Sequence, residues 1–224
     1  MKMLKAVIFD LDGTILDTLG DLTASVNYAL ANNNLPQRSL DEVRSFVGNG
    51  IRLLIERSVP SDTEKIVIDS CFEDFKEHYK NNSAVLTKPY SGIPSLVEAL
   101  RSMGIKTAVV SNKADFAVQV LVENYFPSLF DYSVGEKEGV RRKPCPDSVF
   151  CALDYLGVSA KQSVYIGDSD VDIETARNAA MKCISVTWGF RDKAFLEAFN
   201  PDYIADTPNK ILEIIGENYE GFVS

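Results

Sequence analysis

The chain has little of what zinc proteins, disulfide scaffolds and nucleic-acid-binding proteins need. It has one histidine, and its four cysteines include no CxxC pair, so we expect neither a zinc site nor a disulfide framework. The formal net charge of -9 argues against a broad surface for nucleic acid or an anionic membrane, because such partners need a basic face. No apolar run reaches the length of a membrane span. We therefore expect a cytoplasmic protein with reduced thiols and neither a signal peptide nor a membrane anchor.

The composition is that of an ordinary globular protein. Of the 224 residues, 46% are hydrophobic and 25% are charged, which is ample material for a core. Residues 6–10 have the pattern of a buried strand, and from about residue 17 to 82 apolar side chains recur at helical spacing. Within this helical block "SLDE" (Ser39–Glu42) and "SDTE" (Ser61–Glu64) fit capping boxes.

After the helical block, short apolar strands alternate with helices. Continuous apolar strands separated by helices indicate a parallel sheet that is covered on both faces. The predicted fold class is therefore α/β, a Rossmann-like doubly wound parallel sheet with an inserted all-α domain. We expect residues 1–16 and 86–224 to form the sheet domain, and residues 17–85 the helical one.

Polar side chains follow three of the predicted strands. Asp10 and Asp12 come after "AVIF", Ser111 and Asn112 after "TAVV", and Asp168 after "SVYIG". In an open parallel sheet, ligands bind at the carboxyl ends of strands near the point where the strand order reverses. We therefore expect these residues to gather in one crevice.

Carboxylates buried in such a crevice need a cation. Asp10, Asp12 and Asp168, with Asp172 one helical turn further on, supply the oxygen ligands that Mg²⁺ prefers. Lys143, in the loop "GVRRKPCPD", could reach the same crevice. A carboxylate nucleophile beside Mg²⁺, a lysine and a hydroxyl is what phosphoryl transfer through an aspartyl-phosphate requires.

Three other basic residues lie close in sequence to these polar groups. Arg141 or Arg142 could take the part given to Lys143. Lys113 could add positive charge around the phosphate, although exposure on the surface is an equal expectation. The residue types alone do not choose among them.

Four segments in order resemble the motifs of the haloacid dehalogenase superfamily of phosphotransferases. They are "DLDGT", "VVSN", Lys143 and "GDSDVD". The resemblance covers nearly the whole chain, because a helical cap between the first two motifs marks one large subgroup of that superfamily. It implies that Asp10 is the nucleophile, that Asp12 is the general acid and base, and that Ser111 and Lys143 hold the phosphoryl group.

The resemblance also implies a metal site. Mg²⁺ would be bound by the Asp10 carboxylate, the Asp12 backbone carbonyl and Asp168, with Asp172 assisting directly or through a neighbour. Asp12 speaks against the dehalogenases themselves, which lack a carboxylate there. We also expect Asn112 to contact the substrate.

Within the helical block, "FVGNGIRLLIERSV" resembles the corresponding stretch of phosphoglycolate phosphatases. Gly48, Asn49 and Gly50 could bring backbone donors to a small carboxylated substrate, with Arg52 as a second contact. Equally, these glycines could only turn one helix into the next.

The sequence thus predicts a Mg²⁺-dependent phosphatase acting on a small phosphorylated metabolite, phosphoglycolate or a similar ester. Alternatives are a sugar-phosphate mutase of the β-phosphoglucomutase type, a pyrophosphatase of the same superfamily, and a non-enzymatic phospho-receiver domain. We expect a monomer or a homodimer that binds neither nucleic acid nor membrane.

Overall fold

The structure is a computed structural model that describes residues 2–48 and 50–220, the side chains of Lys2 and Glu220 excepted. The strands are, in chain order, β1 (Lys2–Met3), β2 (Ala6–Phe9), β3 (Leu16–Asp17), β4 (Lys88–Pro89), β5 (Lys106–Ala114), β6 (Tyr132–Glu136), β7 (Ser163–Gly167), β8 (Lys182–Val186), β9 (Tyr203–Ala205) and β10 (Tyr219–Glu220). The helices are α1 (Leu19–Asn32), α2 (Leu40–Phe46), α3 (Ile51–Ser58), α4 (Lys65–Asn82), α5 (Ile93–Ser102), α6 (Asp115–Tyr125), α7 (Asp147–Leu156), α8 (Asp170–Asn178), α9 (Lys193–Ala198) and α10 (Pro208–Asn218).

A six-stranded parallel sheet is the centre of the fold. Its strand order is β6-β5-β2-β7-β8-β9, so β2 lies in the middle and successive strands are added first on one side of it and then on the other. The predicted α/β doubly wound parallel sheet is confirmed. The order reverses between β2 and β7, and in open parallel sheets ligands bind at the carboxyl ends of the strands at such a point.

Helices cover both faces of this sheet. Val7 and Phe9 of β2 belong to one buried cluster, together with residues of α5, α6 and α10. Ala6 and Ile8 belong to another, with residues of α7, α8 and α9. Because successive side chains of a strand point to opposite faces, the two clusters lie on opposite sides of the sheet. This two-sided burial explains why β2 is apolar throughout and why the first polar residue comes only after the strand has ended.

The chain folds into two compact units, residues 1–16 with 89–224 and residues 17–88. The first is the sheet with its helices, and the second consists of α1 to α4. Residues 85–87 go with the helical unit because the buried carboxylate of Asp21, on α1, accepts hydrogen bonds from their backbone N–H groups. The hydroxyl of Thr87 donates to the same carboxylate at 2.7 Å.

One of the two predicted capping boxes is present. Ser39 accepts a hydrogen bond from the N–H of Glu42, whose side chain binds back to the N–H of Ser39. The prediction at Ser61 is wrong. Helix α4 begins at Lys65, its N-cap is Glu64, and no side chain caps the helix start. The residues from Pro60 form a turn instead, in which the N–H of Thr63 donates to the carbonyl of Pro60. Among the described residues, none of the helices combines the length and the hydrophobicity of a membrane span.

Candidate active site

Asp10 directly follows the central strand β2, at the point where the strand order reverses. Its backbone N–H donates to the carbonyl of Ile166 on β7 at 2.9 Å, which extends the sheet pairing by one residue beyond β2. The side chain of Asp10 is only 11% exposed. A carboxylate in such a position needs a cation or hydrogen-bond donors around it.

A tight turn follows, and it brings the backbone against Asp168. Gly13 has a φ of +85°, and a Cβ atom there would lie 2.4 Å from the Asp168 carboxylate. Only glycine fits this approach. The next residue, Thr14, donates its hydroxyl to Asp168 Oδ1 at 3.3 Å, and the backbone N–H of Phe190 donates to Oδ2 at 2.7 Å.

Asp172 is placed by the start of α8. Ser169 is the N-cap, and its hydroxyl donates to Asp172 Oδ2 at 2.6 Å in a capping box. The other oxygen, Oδ1, faces Lys143 and the hydroxyl of Tyr165. Asp172 is therefore fixed at both oxygens.

The ammonium group of Lys143 is surrounded by these acids. Its Nζ lies 2.7 Å from Asp10 Oδ1, 2.8 Å from Asp172 Oδ1 and 3.0 Å from the hydroxyl of Tyr165. Burial works to lower the pKa of Lys143, but the facing carboxylates raise it well above its ordinary value. Lys143 is thus a permanent cation beside Asp10. Arg141 and Arg142 pair instead with Asp147 and Glu136.

Asp10, Asp168 and Asp172 form an acidic cluster whose carboxylate oxygens lie within 4.8 Å of one another. Burial, followed by the charge of Asp172, raises the pKa of Asp10 to about 7. Burial, followed by the charges of Asp172 and Asp10, raises the pKa of Asp168 well above its ordinary value. One lysine does not neutralise three carboxylates. The donor set is all oxygen, which fits a hard divalent cation such as Mg²⁺.

The residues after "TAVV" lie inside β5 rather than beyond it, in a stretch where the pairing register with β6 shifts between Val110 and Ala114. Ser111 is buried. The amide of Asn112 is committed to the backbone of Lys143: its Nδ2 donates to the carbonyl at 3.0 Å, and its Oδ1 accepts from the N–H at 2.8 Å. Asn112 therefore holds the Lys143 loop to β5, and the substrate contact predicted for it stays a prediction.

One residue at the site, Tyr165, was not predicted from the sequence, and another, Lys113, was predicted only as one of two alternatives. Lys113 is only 8% exposed, so exposure on the surface was the wrong expectation. Its Nζ pairs with Asp12 Oδ1 at 2.8 Å. Tyr165 is completely buried under the acidic cluster. Lys113 could be recognised from its place directly after two polar residues, Ser111 and Asn112. Tyr165 could not, because it lies in the middle of the apolar strand β7, where a tyrosine is an ordinary core residue.

The other predicted site residues belong to the helical unit. Gly48 and Gly50 have φ values of 139° and 87°, and Gly50 precedes α3. Asn49 lies outside the described residues. Arg52 pairs with Glu56 at 2.8 Å and with Asp69 at 2.6 Å. A role for these residues in substrate binding stays a prediction.

Comparison with known proteins gives consistent matches along the chain. Residues 7–186 match the family model of the haloacid dehalogenase-like hydrolases. A phosphoglycolate phosphatase of Aquifex aeolicus is 31% identical over 98% of this chain and 100% of its own. An N-acetylmuramic acid 6-phosphate phosphatase of Pseudomonas aeruginosa is 30% identical over 95% of both chains. A crystal structure assigned to a phosphoglycolate phosphatase of Lactobacillus delbrueckii superposes with a TM-score of 0.91 at 40% identity, over 96% of this chain and 99% of that one.

Proposed function

The chain belongs to the haloacid dehalogenase-like hydrolase family and is a phosphatase of that family, and from this premise we propose its mechanism and substrate class. We propose that it hydrolyses a small phosphomonoester with the help of Mg²⁺, through an aspartyl-phosphate formed on Asp10. The observation that carries the proposal is the buried Asp10 carboxylate, which Lys143 contacts at 2.7 Å within the acidic cluster.

Asp10, Asp168 and Asp172 would hold the metal, with the backbone carbonyl of Asp12 as a further ligand. Their all-oxygen donor set supports this assignment. When bound, Mg²⁺ supplies positive charge to the oxygens of the transferring phosphoryl group. The metal proposal further rests on the family, whose phosphatases generally use a divalent cation.

Four residues of the chain have roles in the proposed reaction. Asp10 Oδ attacks phosphorus while the ester P–O bond breaks, and Asp12 gives a proton to the leaving oxygen. Ser111 and Lys143 hold the phosphoryl oxygens. A water molecule then attacks phosphorus, gives a proton to Asp12, and releases phosphate and the Asp10 carboxylate. Asp12 thus ends in the protonation state in which it began.

We propose that the helical unit, residues 17–88, acts as a cap and that the sheet unit, residues 1–16 and 89–224, is the catalytic core, so that the boundary lies three residues later than the predicted residue 85. Gly48, Asn49, Gly50 and Arg52 of this cap, together with Asn112, would contact the substrate. Closure of a cap excludes water until the aspartyl-phosphate has formed.

For the substrate, we propose a small carboxylated phosphomonoester such as phosphoglycolate. The support is the name of the Aquifex aeolicus relative and the glycine-containing stretch before α3. A phosphorylated amino sugar is the second candidate, because the Pseudomonas aeruginosa relative of similar identity is named for one. Mutases and pyrophosphatases of the superfamily stay alternatives, whereas membership of a hydrolase family speaks against a phospho-receiver domain.

The test is phosphate release from a panel of phosphorylated metabolites, measured with Mg²⁺ and with EDTA. The panel contains phosphoglycolate, an N-acetylmuramic acid 6-phosphate, a hexose 1-phosphate and pyrophosphate. We expect turnover to need Mg²⁺ and to be highest with phosphoglycolate. The matched control is Asp10→Asn, which removes the nucleophile with little change in volume and lowers turnover by roughly 10³-fold or more.

Full activity in EDTA would contradict the metal proposal. Isomerisation of the hexose phosphate without release of phosphate would identify a mutase. If Asp10→Asn keeps most of the wild-type turnover, the assignment of the nucleophile is wrong.

A further inference from the structure

Lys113 and Asp12 form an ion pair across the site, between residues 101 positions apart in the chain. The Lys113 side chain is 5% exposed and that of Asp12 is 19% exposed. Lys113 follows Ser111 by two positions on β5, and its backbone N–H donates to the hydroxyl of Ser111 at 3.2 Å. The amide of Asn112 contacts the backbone of Lys143 instead.

Stability is a weak explanation for this pair. Removing an ammonium and a carboxylate from water is costly, and apolar residues of similar volume often serve as well or better. The carboxylate concerned sits two residues after Asp10, in the turn that Gly13 makes possible. A cation at 2.8 Å from Oδ1 restricts the rotation of that carboxylate.

We propose that Lys113 is a positioning residue for Asp12, which it holds in the orientation that proton transfer needs. The inference rests on the proposed function and deepens it. In the first half-reaction the Asp12 proton passes to the ester oxygen as Asp10 takes the phosphoryl group. In the second, a proton of the attacking water passes to Asp12 as the bond to Asp10 breaks. Lys113 keeps its own protons in both.

A double-mutant cycle tests the proposal. Wild type, Lys113→Met, Asp12→Asn and the double variant are compared with phosphoglycolate and with para-nitrophenyl phosphate, in single-turnover measurements of ester cleavage and in steady-state measurements of kcat and KM. We expect Lys113→Met to lower kcat for phosphoglycolate by roughly 10–100-fold, a part of the effect of a general acid, with little change in KM. In the Asp12→Asn background we expect no further loss, because there is no longer a general acid to position.

The two substrates separate positioning from general damage to the site. Nitrophenolate leaves without needing a proton, so cleavage of its ester depends little on the general acid. We therefore expect Lys113→Met to affect this substrate several-fold less than phosphoglycolate. Lys182→Met is the matched control, since it removes an ion pair with Asp202 at the amino end of β8, where the lysine side chain is 60% exposed. It should leave both rates unchanged.

Two results would overturn the proposal. The first is that the two substitutions act independently, so that the double variant is slower than Asp12→Asn by the full factor that Lys113→Met causes in the wild type. The other is a higher KM with an unchanged kcat, which would make Lys113 a substrate contact. Wild-type turnover in the same assay reports on the proposed function separately, and Lys113→Gln replaces the methionine variant if circular dichroism shows that the latter does not fold.

Discussion

Replacing Lys143 with methionine should destabilise the metal-free protein in a pH-dependent way. The substitution removes an ammonium group that contacts Asp10 at 2.7 Å and Asp172 at 2.8 Å, with a side chain 3% exposed. Taking one partner from a buried ion pair costs about 3–5 kcal/mol, because the other charge stays buried. In a protein of 150–250 residues this corresponds to a fall in Tm of about 6–20 °C.

The dependence on pH comes from Asp10. Its pKa in the folded protein is about 7, against an ordinary value of 3.8, so the folded state holds an extra proton between these values. The stability that this proton provides is complete below the lower pKa and is lost as pH rises through the upper one. At pH 8 Asp10 is charged and pairs with Lys143, whereas at pH 5 it is protonated and that ion pair is lost.

We therefore expect Lys143→Met to cost about 3–5 kcal/mol at pH 8 and clearly less at pH 5, where the ion pair with Asp10 is already lost. The assay is thermal unfolding by circular dichroism in EDTA at both pH values. Lys182→Met serves as the control, because an exposed ion pair contributes about 0–1 kcal/mol. An equal loss at both pH values, or a loss at pH 8 no larger than that of the control, would refute the role given to the Lys143–Asp10 pair.

Three further predictions concern the turn, the metal and the first capping box. Gly13→Ala should destabilise more than Gly139→Ala, since both glycines have positive φ but only the Gly13 Cβ would meet a carboxylate; thermal unfolding compares them, and equal losses would contradict the contact. Addition of Mg²⁺ at about 100 times its Kd should stabilise the wild type by about 2.7 kcal/mol and Asp168→Asn much less, as calorimetry would show; equal shifts would remove Asp168 from the site. Ser39→Ala should cost about 1 kcal/mol in chemical denaturation because the cap is lost, whereas Ser61→Ala, which caps nothing, should stay within about 0.5 kcal/mol; the reverse order would contradict the helix start at Lys65.

The parts of the site that follow buried strands could be predicted from the sequence. Asp10 and Asp168 stand out because a carboxylate directly after an apolar strand has few explanations other than a ligand. The parallel, two-sided sheet could be predicted for the same reason, since its strands are apolar on both faces. The spatial order of the strands could not, because it depends on tertiary packing that local patterns do not record.

The pairing between side chains that are distant in the chain could not be predicted from the sequence either. The place of Lys113 after two strand-end polar residues suggests a role at the site, but the sequence does not show that its side chain is buried against Asp12. The two carboxylates that hold Arg52 lie four and seventeen positions further along the chain, and the second is brought near only by the packing of α3 with α4. Similarly, "SDTE" has the letters of a capping box, but the turn that begins at Pro60 sets the helix start later.

The most direct test of the proposed mechanism is to trap the phosphorylated residue. Protein mixed with Mg²⁺ and phosphoglycolate is quenched during turnover and reduced with borohydride, which converts an aspartyl-phosphate to homoserine, and the peptides are sequenced by mass spectrometry. We predict homoserine at position 10 alone, and none without substrate. Homoserine at another aspartate, or none at any position while phosphate is released, would contradict the claim that Asp10 is the nucleophile.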